Sequence, residues 1–292
     1  MCAAMDANRH VPARRRSCLS VPASSERMLA KAEGLPADEV VIDLEDAVAV
    51  AAKDEARTAA AQALGGWQGP GVAVRVNAPG TPWCHLDLAA LGELDELPAS
   101  VVVPKVECAG DLAFVDRLLD GVEAGSGRAR PLRVQALIET AAGLARVDEI
   151  AATAGRLDTL ILGYADLAAS LGGRRDLDAW LPAQHAVVVA ARTNGLQAID
   201  GPYLGVEPDD AFRAAAARAR DLGFDGKWVI HPSQIEAVNE LFLPTGAQLE
   251  WARAVVAALE AADEGGRGAV TLDGEMLDEA VRAAALRVLA RA

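Results

Sequence analysis

The sequence predicts a (β/α)8 barrel, of the TIM-barrel type, with a helical extension at its C-terminal end. Three observations point there. Eight short runs rich in β-branched residues recur along the chain, Ala-rich segments of helical periodicity separate them, and each strand-plus-helix unit takes about twenty to forty residues. The chain has 292 residues, 52% of them hydrophobic, which suits one large core. A doubly wound open sheet is the competing architecture, since it shows the same alternation.

The runs are, in order, SCLSVP (17–22), VVIDLED (40–46), VAVRVN (72–77), SVVVPK (100–105), VQALIET (134–140), DTLILGY (158–164), LQAIDG (196–201) and KWVIHP (227–232). Helix starts are marked between them. Ser24 and Ser25 precede ERMLAKAEG, Asp111 is expected to open LAFVDRLLD, and Pro208 with Asp209 to open DAFRAAAARARDLG, which Gly223 stops. After the eighth run come NELFLPTGAQLEWARAVVAALEAA, a Gly-rich break at 265–268 and GEMLDEAVRAAALRVLARA. A barrel does not need this tail, so it should buttress the outside or reach a neighbouring subunit. The expected divisions are a loosely ordered N-terminus at 1–13, a barrel domain at 14–240 and a helical extension at 241–292.

Charge and cysteine usage exclude several classes. Lys plus Arg is 28 against 42 Asp plus Glu, a net charge of -14, which argues against nucleic acid or an anionic membrane as partner. An anionic small substrate then needs a local basic cluster or a metal. Cys2, Cys18, Cys84 and Cys108 show no CxxC spacing, so zinc-ribbon and disulfide frameworks are disfavoured and a reducing cytoplasm is expected. The opening MCAAMDANRHVPARRR has no apolar signal core. Arg14, Arg15 and Arg16 read as a solvated entry to the first strand rather than a targeting tail.

In a parallel barrel the site lies at the carboxyl ends of the strands. Those ends carry Asp43, Glu45 and Asp46, then Arg75 and Asn77, Lys105, Glu139, Asp166, Asp200 and His231. With 24% charged residues, chance would supply about two of eight, so a charged mouth is expected. Many carboxylates and few histidines point to a hard cation such as Mg2+. Glu139 and Asp166 close successive strands and are the leading ligand candidates; alternatively Asp166 caps the helix that follows and Glu139 pairs with an arginine. Arg75 should face inward, either to capture a carboxylate or carbonyl or to bridge to an acid of DLED. Lys105 raises a Schiff-base alternative. His231 reads as a turn residue, Cys18 and Cys108 as packing or surface residues, and GGRRD (172–176) is too weak for a phosphate loop.

Read together, RRSCLSVPASSERMLAKA, LPADEVVIDLEDAVAVAAKDEAR, VRVN, TPW, VVVPKVE, ALIETAAGL, GYADLAASLG, AIDGPY, LGFDGKWVIHPSQI and GEMLDEAV resemble, in the correct order, the HpcH/HpaI aldolase and citrate lyase family. The similarity is to its citrate lyase β-subunit-like group, with the malyl-CoA and citramalyl-CoA lyases. It implies a Mg2+-dependent carbon–carbon lyase that splits or forms a short β-hydroxyacyl-CoA, with acetyl-CoA and a 2-oxo acid as the other side of the reaction, in a trimer or hexamer. By the same resemblance Glu139 and Asp166 match metal ligands, and Arg75 a substrate arginine. Glu45 and Asp46 match acids that hold metal-bound water, while Asp43 is expected to hold local structure. Asp278 matches a catalytic aspartate that reaches an adjacent subunit, and Arg27 and Lys31 lie where CoA phosphates are contacted. Two departures stand out: Ala23 replaces the glycine of the usual VPG, and GYAD replaces GAED, so Tyr164 and Ala165 change the wall beside the oxo-acid carboxylate. The alternatives are a malyl-CoA thioesterase or malate synthase-like activity, and a citrate lyase complex subunit acting on an acyl-carrier thioester.

Overall fold

The computed structural model describes residues 13–94, 98–124, 131–153, 155–174, 180–264 and 268–291. Residues 1–12 of the expected loose N-terminus, Arg175 and Asp176 of GGRRD, and residues 265–267 of the Gly-rich break lie outside them. Two compact units are present, residues 1–239 and 240–292.

All eight expected strands form. They are β1 (Ser17–Pro22), β2 (Glu39–Asp43), β3 (Gly71–Arg75), β4 (Ser100–Val103), β5 (Arg133–Ile138), β6 (Leu157–Leu162), β7 (Gln197–Asp200) and β8 (Gly226–Val229). Each pairs in parallel with the next, and β8 pairs back onto β1, so the sheet is a closed barrel rather than an open one. The crossovers carry α1 (Glu26–Ala32), α2 (Lys53–Leu64), α3 (Cys84–Leu91), α4 (Ala109–Glu123), the short α5 (Ala141–Ala145) and α6 (Val147–Ala151), α7 (Tyr164–Leu171), α8 (Leu181–Asn194), α9 (Asp210–Leu222) and, after β8, α10 (Ser233–Leu241). Several strands stop earlier than the apolar runs do. Leu44, Glu45 and Asp46 follow β2, and Ile230 and His231 follow β8, so these residues belong to the βα loops.

The helix caps follow the local chemistry. Ser25 accepts from the Met28 N–H at 3.4 Å, Asp209 from Phe212 at 2.8 Å, and Gly223 ends α9 with φ +106. Asp111 does not open its helix: α4 starts two residues earlier, and the Asp111 carboxylate reaches back to accept from the Glu107 and Cys108 N–H groups at 2.7 and 3.1 Å.

Alternation along the strands sorts the barrel interior into layers. The middle layer is apolar, with Cys18, Val41, Ala73, Val102, Leu137, Ile161, Ile199 and Trp228, one from each strand, all buried. Two residues toward the strand starts lies a polar base. There the Arg15 guanidinium, only 3% exposed, donates to Glu39 at 2.9 Å, Thr159 at 3.1 Å and Gln197 at 2.7 Å, and Gln135 donates to Glu39 and Ser100. The solvated reading of the arginine run is therefore corrected. Arg15 enters the barrel because three inward polar side chains offer it acceptors, and Arg16 pairs with Asp38 at 2.7 Å. Two residues toward the strand ends lies the charged mouth.

The second unit holds α11 (Gly246–Glu264), β9 (Val270–Leu272), β10 (Glu275–Leu277) and α12 (Glu279–Leu289). The tail is thus not purely helical. Asp273 and Gly274, at φ +49 and +87, form the two-residue turn of an antiparallel hairpin. Ala252, Val255, Leu259, Leu277 and Ala285 make its buried centre. Among the described residues no helix is long and apolar enough to cross a membrane.

Candidate active site

A cavity of about 170 Å³ opens at the carboxyl ends of the strands, with Asp46, Arg75, Glu139, Ala165, Asp166 and Trp228 in its wall. It is smaller than the roughly 300–1,000 Å³ of drug-sized pockets, a scale suited to the headpiece of a small acid.

Glu139 directly follows β5 and continues its inward parity. It is 2% exposed, and its Oε1 accepts the backbone N–H of Lys105 at 3.0 Å. The carboxylate lies across the end of β6, where only glycine fits: a Cβ on Gly163 would stand 2.6 Å from both Cβ and Oε2 of Glu139. Burial, helped by the charges of Glu45 and Asp166 against those of Arg75 and Lys105, pushes its carboxyl up to about 8. Asp166 is the third residue of α7 and half-buried, and α7 has no side-chain cap, which disfavours the capping reading.

Arg75 faces inward as expected. Its Nε donates to Asp43 at 2.7 Å, a second nitrogen also pairs with Asp43, Nη1 lies 3.1 Å from Glu45, and the guanidinium sits 5.6 Å from the Trp228 ring centre. Both readings of this residue coexist, since Arg75 bridges to DLED and still lines the cavity. Asp43, fully buried, also accepts the Glu45 N–H at 2.8 Å and so shapes the turn. Burial raises the carboxyl pKa of Glu45 despite Arg75 and Lys105. For the exposed Asp46, partial burial is outweighed by Lys105, which holds it below the usual range.

Lys105 adopts the left-handed backbone, φ +52, and its ammonium pairs with Glu45, with Asp46 at 3.0 Å and with Asp166 at 3.8 Å. Burial opposes its charge, but Glu45 and Asp46 overcome this and hold the amine protonated well above the ordinary lysine range. A Schiff base needs the free amine, so the arrangement disfavours that alternative. Lys53 was given no role by the sequence. Buried against Trp83, it donates to the carbonyls of Leu44 and Glu45 at 2.7 and 2.8 Å, clamping the turn that presents the acids. No local motif announces it.

Asp200, Asn77, His231, Arg27 and Lys31 are not among the residues that line the cavity. Asp200 is buried against Lys227 and the Tyr164 hydroxyl, and Gln184 donates to that hydroxyl at 2.7 Å. Asn77 donates to Asp87 at 2.6 Å, and His231 Nδ1 stands 2.7 Å from the Ser233 hydroxyl, a turn contact. Arg27 and Lys31 are exposed one turn apart on α1. Asp278, in the second unit, caps α12 by accepting from Ala280 and Val281 at 2.9 and 3.2 Å.

The donor set fits magnesium. Asp43, Glu45, Asp46, Glu139 and Asp166 gather around Arg75, Lys105 and Lys53, so that acidic groups outnumber basic ones beside the cavity. Among the described residues no three His, Cys, Asp or Glu are close enough to hold a metal by themselves. The carboxylates of Glu139 and Asp166, both in the cavity wall, suit Mg2+, which takes one or two carboxylates and keeps waters or substrate oxygens.

A closed barrel with surplus carboxylates and an arginine around a small cavity defines a metal-assisted enzyme for small anions. The chain belongs to the HpcH/HpaI aldolase/citrate lyase family, whose profile matches residues 16–232. It is 38% identical over 291 residues to the L-malyl-CoA/beta-methylmalyl-CoA lyase of Cereibacter sphaeroides, covering 91% of each chain. A (3S)-malyl-CoA thioesterase of the same species is 37% identical over 281 residues, covering 95% of this chain and 94% of the relative. Among solved structures, the CitE protein of Mycobacterium tuberculosis in complex with magnesium, acetoacetate and coenzyme A superposes with a TM-score of 0.78 at 32% identity, covering 96% of this chain and 98% of that one.

Proposed function

We propose that this enzyme is a Mg2+-dependent carbon–carbon lyase that cleaves or forms a short β-hydroxyacyl-CoA of the malyl-CoA type, with acetyl-CoA and a 2-oxo acid as the other side of the reaction. The carrying observation is Glu139: a buried carboxylate beside Asp166 and Arg75, with too little positive charge around it. The named activities of the relatives support the same reading.

Glu139 and Asp166 would hold the magnesium, which when bound supplies positive charge to the oxygens of the oxo acid. Glu45 and Asp46 would orient water around it. The N–H groups of Ala165 and Asp166, in the uncapped first turn of α7, are offered to the oxo-acid carboxylate. Arg75 is held by two N–H bonds to Asp43 and by its ion pair with Glu45, leaving other guanidinium N–H donors for the thioester oxygen as negative charge develops there. Asp278 of an adjacent copy would exchange the proton with the methyl carbon of acetyl-CoA. Arg27 and Lys31 would meet the CoA phosphates. A trimer or hexamer and a reducing cytoplasm belong to the same proposal; the free thiols of Cys18, Cys84 and Cys108 support the latter.

The test is Glu139→Ala, expected to abolish Mg2+-dependent cleavage of malyl-CoA; full retention of that activity sinks the ligand assignment. Mixing Asp278→Ala with Arg75→Ala chains should restore part of the activity, because some composite sites are then intact; none restored rejects the shared site. The thioesterase relative favours one second reading, hydrolysis of the same thioester. Free CoA with malate, in place of acetyl-CoA with glyoxylate, would establish it.

A further inference from the structure

We infer that Lys105 is a positioning residue acting as a resident counter-cation: its ammonium draws Glu45 and Asp46 toward the Glu139–Asp166 pair, and its own positive charge sets how tightly that pair takes a divalent metal. The inference rests on the reading of Glu139 and Asp166 as the metal holders.

Four acids converge on this one residue. Its backbone N–H binds Glu139 at 3.0 Å, and its ammonium contacts Glu45, Asp46 at 3.0 Å and Asp166 at 3.8 Å. The backbone bends to make this happen. Among the described residues only Lys105 and Asp273 adopt positive φ without being glycine, and Asp273 sits in a hairpin turn, where that conformation is ordinary. At Lys105 this left-handed backbone accompanies an N–H bonded to Glu139 and a side chain that reaches Glu45, Asp46 and Asp166. A cation on Asp166 Oδ1, at an ion–oxygen distance of about 2 Å, would stand within roughly 6 Å of the ammonium. At that range like charges repel appreciably even near a protein surface. The ammonium therefore assembles the acids and at the same time weakens their grip on metal, a combination that keeps the ion exchangeable.

Lys105→Met keeps the backbone N–H and much of the chain length but removes the ammonium with its charge and its contacts to Glu45, Asp46 and Asp166, so metal affinity reads which of the two effects dominates. The metal-free protein and its variants would be titrated with Mg2+ by calorimetry and with Mn2+ by electron paramagnetic resonance at low salt. The expected result is a Kd at least about tenfold lower for Lys105→Met, return to within about threefold of the parent in Lys105→Arg, and a smaller difference at high salt. Equal or weaker binding by a folded Lys105→Met overturns the inference. Failure of both Lys105→Met and Lys105→Gln to fold without metal overturns it too, since the ammonium then holds the fold rather than tuning the site. Absence of binding by the parent instead removes the metal reading of Glu139 and Asp166.

Discussion

Glu139 keeps its proton at neutral pH as long as no cation reaches it, because burial and its acidic neighbours push its carboxyl from near 4.5 up to about 8. Between those values the folded state binds more protons than the unfolded state. The contribution of Glu139 to metal-free stability is thus fully present below about 4.5 and is lost as pH rises through about 8. Thermal melts in EDTA from about pH 5 to pH 9 should show this decline, and Glu139→Gln should remove it. Stabilisation by Mg2+ should grow over the same window, since the metal takes the ionised carboxylate. A metal-free profile with the same slope in the parent and in Glu139→Gln contradicts the assignment. Gly163→Ala tests the same carboxylate by shape. Its methyl group would meet Glu139 at 2.6 Å and displace it, with an expected loss of about 100-fold in kcat while the fold persists.

At the level of elements, the end of β2 shows how a turn is built to present charge. Lys53 on α2 ties down the carbonyls of Leu44 and Glu45. Lys53→Met should cost about 2 kcal/mol in urea unfolding and loosen Glu45 and Asp46, so that kcat falls while Lys53→Arg recovers part of it. Much of this level was legible in the sequence. Apolar runs located all eight strands, and parity alone turned Arg75 inward. The Asp273–Gly274 pair carries a hairpin signal that the helical reading of the tail passed over. The contacts of Lys105 were not legible, because they join residues 60 and 59 positions apart that meet only when β2, β3 and β4 lie side by side. Lys53 and Arg15 escaped for a related reason: lysine and arginine read as solvent-seeking until the fold supplies acceptors for them.

On the scale of the whole molecule, the barrel carries charge at both ends and an apolar ring between them. The two ends do different work. At the mouth, negative charge exceeds positive and leaves room for a cation; at the base, Arg15 is matched by Glu39 through Nε and by Asp158 at 3.4 Å, with Thr159 and Gln197 also accepting from Nη1. The charges of the base are thus largely matched among its own side chains. Family similarity begins at residue 16, one position after that arginine. A fragment trimmed to the matched region would keep all eight barrel strands yet take from Glu39 its buried guanidinium partner, leaving the neutral amide of Gln135. Removing one partner of a buried pair costs about 3–5 kcal/mol, so chains starting at residue 16 should melt well below chains starting at residue 13, and Arg15→Met in the longer chain should reproduce the loss. Equal melting temperatures would show the base to be dispensable. The stretch that the family profile matches is therefore shorter than the stretch that closes the barrel base, and Arg15 lies just outside it.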